Sequence, residues 1–158
     1  VHNATSILSN KLIKQGVTLK VPDIDNNLRL AIHSVELEQV LINLFHNAAQ
    51  AMDGHSLNPV ISISVQCHES HCDILVSDNG PSMSDKALDK IFDPFFTTKP
   101  EGLGLGLTIS KRILESYQGS LSAHKHYDLE SNQPTGMTFV VTVPMATAQS
   151  HKHRKDNQ

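Results

Sequence analysis

Residues 34 to 52 repeat their apolar side chains at helical spacing, and this segment constrains the fold more than any other part of the chain. We expect Ser34 to cap the helix, with Glu36 and Glu38 near its positive end. The apolar positions fall on one side and are Leu37, Val40, Leu41, Leu44, Phe45, Ala48 and Met52. The pattern therefore predicts a long amphipathic helix with one side in the core.

The other side of this helix carries a polar stripe. Its members step by three or four residues and are Glu36, Gln39, Asn43, Asn47 and Gln50. Asn43 and Asn47 lie one above the other, so both carboxamide oxygens can reach the same ligand. Such oxygens suit magnesium when nucleotide phosphates supply the negative charge. A solvated helix face explains the same pattern, and only residues from elsewhere in the chain can decide between the two interpretations.

Alternation of apolar and polar residues predicts several strands around this helix. The predicted strands are residues 17–21, 28–32, 60–65, 72–77, 121–126 and 137–143, and shorter helices are predicted at 85–91 and 105–117. A hairpin turn joins the third and fourth of these strands, and Gly119 ends the last helix. Residues 1–15 are predicted to end an upstream helix, and residues 146–158 to form a disordered tail.

The composition favours one soluble domain. The chain has 158 residues and contains no run of about 18 apolar residues that would cross a bilayer. A formal net charge of −3 argues against sequence-independent binding to nucleic acid. Two cysteines favour reduced thiols, and ten histidines suggest metal or phosphohistidine chemistry. Because the chain begins at Val1 without a methionine, we expect a fragment of a longer protein.

The segment Asp78-Asn79-Gly80-Pro81 follows a predicted strand. A carboxylate only accepts hydrogen bonds, so Asp78 is suited to a ligand with an exposed amine, such as the exocyclic amine of adenine. Gly80 would let a flat base approach the backbone closely. An ordinary turn explains the same residues when they are taken alone.

Glycines alternate in the segment 102–106, which leads into a predicted helix. Backbone N–H groups without side chains around them can close on phosphate oxygens, and the helix start favours an anion. The segment is not a P-loop, because no Gly-Lys-Ser/Thr follows. Lys99 precedes it and could reach a terminal phosphate.

In this order, the motifs resemble the ATP-binding catalytic domain of sensor histidine kinases, in the family shared with gyrase, heat-shock chaperone and mismatch-repair ATPases. The matching runs are LEQVLINLFHNAAQAM (37–52), DNGPSM (78–83), IFDPFF (91–96) and GLGLGLTISKRI (102–113). The run FFTTK (95–99) resembles the branch of nitrogen-regulation and dicarboxylate sensors. The resemblance implies an α+β fold, the Bergerat ATP-binding fold. This is a two-layer α/β sandwich with a mixed, mostly antiparallel sheet of about five strands and helices on one face.

The resemblance also implies roles for individual residues. Asn47 would bind Mg²⁺ with Asn43 as helper, Asp78 would accept from the adenine amine, and Asn43, Asn47 and Lys99 would be catalytic. Phe92, Phe95 and Phe96 would anchor the stem of a phosphate-covering lid in the core. The implied nucleotide-binding residues are Asn43, Asn47, Asp78, Gly80, Ser82, Met83, Lys99, Gly102, Leu103, Gly104, Leu105, Gly106, Leu107 and Thr138.

The function implied is transfer of the ATP γ-phosphoryl group to a histidine on an upstream dimerisation domain outside this chain, for relay to a response regulator. The parent protein would be a homodimer, anchored in the membrane with this domain on the cytoplasmic side. Residues 1–15 would end the upstream helical region, 16–145 would form the catalytic domain, and 146–158 would be the tail. ATPase branches commonly place Glu where this chain has Asn43, which cannot accept a proton, so the residue favours transfer over hydrolysis.

Two departures from the family pattern keep other functions open. Ser82 replaces a second glycine, and Gln50 stands where a basic residue is often found. One alternative is an ATPase of the same superfamily, for which Glu36 lies two turns from Asn43 and is poorly placed. The other is a pseudokinase that retains the fold as a protein-binding module.

Cys67, His68, His71 and Cys72 offer side chains that zinc accepts. Their spacing matches no standard zinc module, and adjacent strand residues point to opposite faces of a sheet. We therefore expect no metal site at this hairpin.

Overall fold

The computed structural model describes residue 12 and residues 16–25, 27–54, 58–99, 102–127, 130 and 133–146. The predicted upstream helix at 1–15, apart from Leu12, and all but the first residue of the predicted tail at 146–158 lie outside these ranges. The elements, in chain order, are β1 (Thr18–Lys20), α1 (Ser34–Met52), β2 (Val60–Cys67), β3 (His71–Asp78), α2 (Asp85–Leu88), α3 (Gly106–Ser116), β4 (Ser120–Tyr127) and β5 (Pro134–Pro144). Among the described residues, no helix has both the length and the apolar character needed to cross a bilayer.

The strands form one five-stranded sheet in the order β1-β2-β3-β5-β4. β1 pairs with β2 in parallel, and the other three pairings are antiparallel. α1 packs on β2 and β3, whereas α3 packs on β4 and β5 and also contacts α1. This confirms the two-layer α/β sandwich with a mixed, mostly antiparallel sheet.

The apolar side of α1 supplies much of the core, because each position that the helical pattern selects is buried. The strands contribute every second residue: β3 alternates buried and half-buried positions along its whole length. Fully buried side chains of the core include Leu41, Leu44, Phe45, Met52, Ile61, Ile74, Val76, Leu114, Val141 and Val143.

Three local predictions were wrong. Residues 28–32 form no strand, because Leu30 makes only an isolated bridge to Met145. The cap of α1 is His33, whose side chain makes no capping hydrogen bond, and Ser34 is the first helical residue. The helix predicted at 85–91 ends at Leu88, and the hydroxyl of Ser84 caps its start by accepting from the Ala87 backbone N–H.

The two cysteines are joined by a disulfide, whereas the sequence predicts free thiols. The reason is the register of the β2–β3 hairpin, which pairs Cys67 directly with Cys72. The bond closes the hairpin beside its turn, which residues 68–70 form.

Candidate active site

A cavity of about 750 Å³ lies between α1, the turn that follows β3 and the glycine-rich segment before α3. Its volume is in the range of small-molecule and cofactor sites. Twelve of the fourteen nucleotide-binding residues that the sequence predicts line it, namely Asn43, Asn47, Asp78, Ser82, Met83, Lys99, Gly102, Leu103, Gly104, Leu105, Gly106 and Leu107. The helix stripe, the turn and the glycine run, which are far apart in the sequence, therefore share one cavity.

Asn43 is held in place by α3. Its Nδ2 donates to the Oγ of Ser110 over 2.9 Å, and Ser110 is 2% exposed. The other amide atom, Oδ1, faces the start of α3, where a Cβ added at Gly106 would lie 2.4 Å from it. The glycine thus lets the first turn of α3 approach the amide, and the Asn43 oxygen is held in a fixed orientation.

Lys99 reaches the polar stripe of α1 from the opposite wall of the cavity. Its ammonium donates to Oδ1 of Asn47 over 3.3 Å and to Oε1 of Gln50 over 2.6 Å. Burial lowers the pKa of Lys99 below its usual range. A cation therefore lies against the Asn47 oxygen on which the sequence predicts a metal ion, and Gln50 serves as a second acceptor for that cation.

Asp78 is the last residue of β3 and is 6% exposed. Its Oδ1 accepts from the Gly80 N–H over 2.9 Å. Burial raises the pKa of Asp78, and hydrogen bonds from the Gly80 and Met137 backbone oppose that rise. The carboxylate is thus oriented by the backbone beside a mostly apolar wall that contains Met83, Ile91 and other side chains of the cavity.

Ser82, which stands where the family pattern has a glycine, joins the turn after β3 to β5. Its Oγ donates to the Gly136 carbonyl over 2.7 Å and accepts from the Gly136 N–H over 3.2 Å. Gly136 has a φ of 154°, and a Cβ there would lie 2.0 Å from the Asp78 carbonyl oxygen. Sequence reasoning missed Gly136, although an isolated glycine inside a strand marks a close backbone approach.

The glycine-rich segment is held by the residues before it. The Thr97 hydroxyl accepts from the Lys99 N–H over 3.0 Å, and Gly104 has a φ of 66°. A Cβ at Gly104 would lie 2.5 Å from the Phe95 carbonyl carbon, so glycine is required there. Phe92 and Phe96 pack against the core, but Phe95 is 75% exposed and does not anchor the segment there, contrary to the prediction.

Two predicted nucleotide-binding residues do not line the cavity. Gly80 packs beneath it, where an added Cβ would lie 2.9 Å from Cγ of Met52. Thr138 lies on the sheet face that points away from the helices, and its hydroxyl bonds with Ser77 Oγ over 2.9 Å and with Nε2 of His126. The core-facing neighbours Met137 and Phe139 line the cavity instead.

Several lining residues were not predicted. His46 and Ala51 follow Asn43 and Asn47 at helical spacing, so the stripe itself carries a signal for them. The lining residues outside the predicted nucleotide-binding set are His46, Ala48, Gln50, Ala51, Pro81, Ser84, Ala87, Ile91, Phe96, Thr97, Thr98, Met137 and Phe139. Most of these are small or apolar and serve to shape the cavity.

Charge is sparse in the described lining. In that part of the chain, Asp78 is the only carboxylate and Lys99 the only Lys or Arg that lines the cavity. Glu36, the carboxylate considered for water activation, accepts from the Tyr117 hydroxyl over 2.6 Å and does not line the cavity. The arrangement can orient the polar edge of a nucleobase and an anionic group. The described residues that line the cavity offer no carboxylate beside Asn43 and Asn47 to deprotonate water.

Comparison with known proteins finds the type of domain that the sequence motifs resemble. Residues 32–147 match the family described as histidine kinase-, DNA gyrase B-, and HSP90-like ATPase. The chain is 37% identical over 112 residues to the sensor protein FixL of Bradyrhizobium diazoefficiens, covering 71% of this chain and 21% of FixL. It is 35% identical over 148 residues to the C4-dicarboxylate transport sensor protein DctB of Rhizobium meliloti, covering 92% of this chain and 22% of DctB.

Solved structures agree with the curated relatives. The catalytic domain of the histidine kinase ThkA superposes with a TM-score of 0.75 at 28% identity, covering 91% of this chain and 89% of that one. ThkA in complex with the response regulator protein TrrA gives a TM-score of 0.71 at 25% identity, covering 92% of this chain and 39% of that one. The chain spans about a fifth of the length of FixL and of DctB.

Proposed function

The chain belongs to the family of histidine kinase-, DNA gyrase B- and HSP90-like ATPases, and from this membership we propose that it donates the ATP γ-phosphoryl group to a histidine. It is an ATP-binding catalytic domain of the sensor histidine kinase type. The observation that supports the proposal is the convergence of Asn43, Asn47, Asp78 and the glycine run on one cavity. Each of these groups has a distinct part of ATP to bind.

Asp78 is proposed to select adenine. One carboxylate oxygen is already fixed by the Gly80 N–H, which leaves the group oriented to accept from an exocyclic amine. Because Asp78 is 6% exposed, a ligand without a donor at that point would keep water from the remaining acceptor position of the carboxylate and offer nothing in exchange, and such a ligand is disfavoured. The apolar side chains around it would cover the faces of the base.

Asn47, with Asn43 as helper, is proposed to hold Mg²⁺ together with phosphate oxygens. The donor set fits, because both residues present neutral amide oxygens and the Lys99 ammonium already lies 3.3 Å from Oδ1 of Asn47. When bound, the metal ion would neutralise phosphate charge and help to orient the transferred group. Asn43 and Asn47 would keep the phosphates on one side of α1.

Lys99 is proposed to bind a terminal phosphate oxygen. Its partners in the cavity are two neutral amides, those of Asn47 and Gln50, and an anionic phosphate is a stronger partner for an ammonium. The backbone of Gly102, Gly104 and Gly106 would close around the same phosphates. Catalysis would then consist of positioning the γ-phosphoryl group and balancing its charge.

Transfer is favoured over hydrolysis because, in the part of the chain that the structure describes, no carboxylate is placed to activate water. Among the described residues that line the cavity, the only carboxylate is Asp78, which is assigned to adenine. Asn43 cannot accept a proton at neutral pH, and Glu36 is engaged with Tyr117. An ATPase of the same family would need such a base near the γ-phosphate.

The partners are proposed from the relatives. The phosphoryl acceptor would be a histidine on an upstream dimerisation domain of a homodimeric parent, and a response regulator would receive the group next. The TrrA complex of ThkA supports a response regulator as partner. Residues 16–145 would be the catalytic domain on the cytoplasmic side of a membrane-anchored sensor, residues 1–15 its link to the dimerisation region, and 146–158 its tail.

Calorimetry with a non-hydrolysable ATP analogue tests the binding site. We expect Mg²⁺-dependent binding that Asn47→Ala abolishes and that Asp78→Asn weakens about tenfold to hundredfold, since a lost hydrogen bond to a charged group costs about 1.5–3 kcal/mol. Asp89→Asn, at the exposed end of α2, is the matched control and should bind as the wild type does. Binding of the analogue that does not depend on Mg²⁺ would contradict the proposal, and so would a wild-type affinity in both site variants.

A further inference from the structure

A second cluster of ligand-type side chains lies at the opposite end of β3 from Asp78, at the turn of the β2–β3 hairpin. His68, His71 and Asp73 each offer one ligand atom, and the three atoms lie within 4.8 Å of one another. Nε2 of His68 is 3.6 Å from Oδ2 of Asp73, and Nε2 of His71 is 4.0 Å from the same oxygen. We propose that this cluster binds a divalent transition-metal ion of the zinc type.

The distances suit a metal ion. With bonds of about 2.0–2.1 Å, two ligands of a tetrahedral zinc ion lie about 3.4 Å apart. The two nitrogen-to-oxygen distances of 3.6 and 4.0 Å exceed this value by a few tenths of an ångström, which small side-chain rotations on an exposed hairpin close. The imidazole rings of His68 and His71 are stacked with centroids 4.5 Å apart, so binding of one ion by both Nε2 atoms requires one ring to rotate out of the stack.

Outer hydrogen bonds orient two of the three ligands. The Thr142 hydroxyl donates to Oδ1 of Asp73 over 2.6 Å, which leaves Oδ2 toward the histidines. Nδ1 of His71 bonds with Oγ of Ser70 over 3.1 Å, which leaves Nε2 for the metal ion. Partners of this kind fix ring orientation and tautomer in metal sites. An incidental surface cluster would not need them.

The backbone that carries the cluster is rigid. The Cys67–Cys72 disulfide closes the strands beside the turn, and the His68 N–H donates to the His71 carbonyl over 2.8 Å. The Ser70 carbonyl accepts from the Met145 N–H over 2.8 Å, which ties the turn to the end of β5. The disulfide removes the two thiols that the sequence suggested as zinc ligands, and the sheet register adds Asp73, which the sequence pattern did not single out.

The ligand chemistry separates this site from the nucleotide site. Two imidazole nitrogens and one carboxylate oxygen favour Zn²⁺, Cu²⁺ or Ni²⁺, whereas Mg²⁺ prefers oxygen ligands alone. Three protein ligands leave a fourth position of a tetrahedral ion for water. Because Asp73 lies on the sheet face away from the helices, occupancy should not depend on ATP.

Calorimetric titration of the full chain with zinc chloride, without thiol reductant or chelator, tests the proposal. We expect uptake of zinc that His71→Ala and Asp73→Asn each weaken at least about tenfold, and that Thr142→Val weakens in the same direction. A thermal melt of each variant without zinc checks that the hairpin change leaves the domain folded. Binding of the Mg²⁺–ATP analogue should be unchanged in the His71→Ala variant.

Three controls assign the ligands. His124→Ala on β4 and the pair His151→Ala and His153→Ala near the end of the chain should keep the zinc affinity of the wild type. The pair Cys67→Ser and Cys72→Ser removes the disulfide that makes the hairpin rigid, so it should bind zinc more weakly but still take it up. Zinc binding that disappears with the terminal histidines or with the cysteines would overturn the assignment. The absence of zinc uptake at micromolar concentrations, or an affinity that His71→Ala and Asp73→Asn leave unchanged, would overturn it as well.

Discussion

Asp78 combines three constraints in one side chain. It ends β3, it accepts from the Gly80 N–H, and it borders the cavity while only 6% exposed. A carboxylate in such a place is unfavourable without a ligand, because burial penalises its charge. We infer that burial of the Asp78 charge costs the domain free energy, and that adenine would offset this cost by donating a hydrogen bond to the carboxylate.

Stability should therefore depend on the protonation of Asp78. Burial raises its pKa, so the folded domain holds this proton more tightly than the unfolded chain does. The stability linked to the proton is fully present below the ordinary aspartate pKa and is lost as the pH rises through the raised folded value. The free energy of unfolding of the wild type, minus that of Asp78→Asn, is expected to fall across this pH window in urea titrations. A difference that stays constant with pH would contradict the assignment.

Lys99→Met tests the phosphate role of the lysine. The variant should weaken binding of the Mg²⁺–ATP analogue about tenfold to hundredfold and leave adenosine binding unchanged, because the ammonium is assigned to a phosphate oxygen. Calorimetry with both ligands measures the two effects. Lys90→Met, an exposed lysine that does not line the cavity, is the control. Equal losses for adenosine and the ATP analogue would show that Lys99 acts through the cavity shape instead.

Single-residue positions were predictable where a pattern fixed the side-chain direction. Helical spacing places Asn43 and Asn47 on one side of α1, and both line the cavity. Thr138 does not line it, because side chains alternate across a strand and its neighbours Met137 and Phe139 take the core face. The alternation of apolar residues along this strand already points Thr138 to the outer face, whereas the family resemblance alone placed it at the nucleotide.

Among the elements, α1 was predicted with its end at Met52 and to within one residue at its start, because nineteen residues of consistent periodicity outweigh local ambiguity. The strand predicted at 28–32 failed for a tertiary reason. Pairing is limited to one isolated bridge between Leu30 and Met145, which consists of hydrogen bonds from the Ala31 N–H to the Pro144 carbonyl and from the Ala146 N–H to the Arg29 carbonyl. Backbone pairing depends on where β5 ends in the folded chain. The local sequence pattern of residues 28–32 carries no information about the position of β5.

The contact between β3 and β5 also depends on a glycine that the sequence pattern did not single out. Gly136 has a φ of 154°, and a Cβ added there would lie 2.0 Å from the Asp78 carbonyl oxygen. Gly136→Ala is expected to lower the free energy of unfolding by about 2–4 kcal/mol, from backbone strain and overpacking. Urea denaturation measures the change.

Gly54→Ala is the matched control for this prediction. Gly54 also has a positive φ, 70°, but nothing lies within 4 Å of an added Cβ. Its cost should be limited to the conformational term of about 1–2 kcal/mol. If both alanine variants were equally stable, the close approach at Asp78 would not be the reason for the glycine.

At the scale of the whole molecule, the site is an assembly of distant segments. Asn43 and Ser110 are 67 residues apart and share a hydrogen bond, and Lys99 lies 52 residues from Asn47. The family resemblance predicted this convergence, whereas residue patterns alone left a solvated helix face and an ordinary turn as alternatives. The structure places both segments on one cavity, which favours a binding role for them over those alternatives.

Transfer of labelled phosphate tests the central claim most directly. The domain is incubated with Mg²⁺ and γ-labelled ATP, together with the dimerisation domain of its parent protein. The proposal predicts labelled phosphohistidine on that domain, lost with Asn47→Ala and reduced with Asp78→Asn, while Asp89→Asn keeps the wild-type level. Steady release of inorganic phosphate without phosphohistidine would instead identify an ATPase, and nucleotide binding without any transfer would identify a pseudokinase; either result would contradict the proposed function.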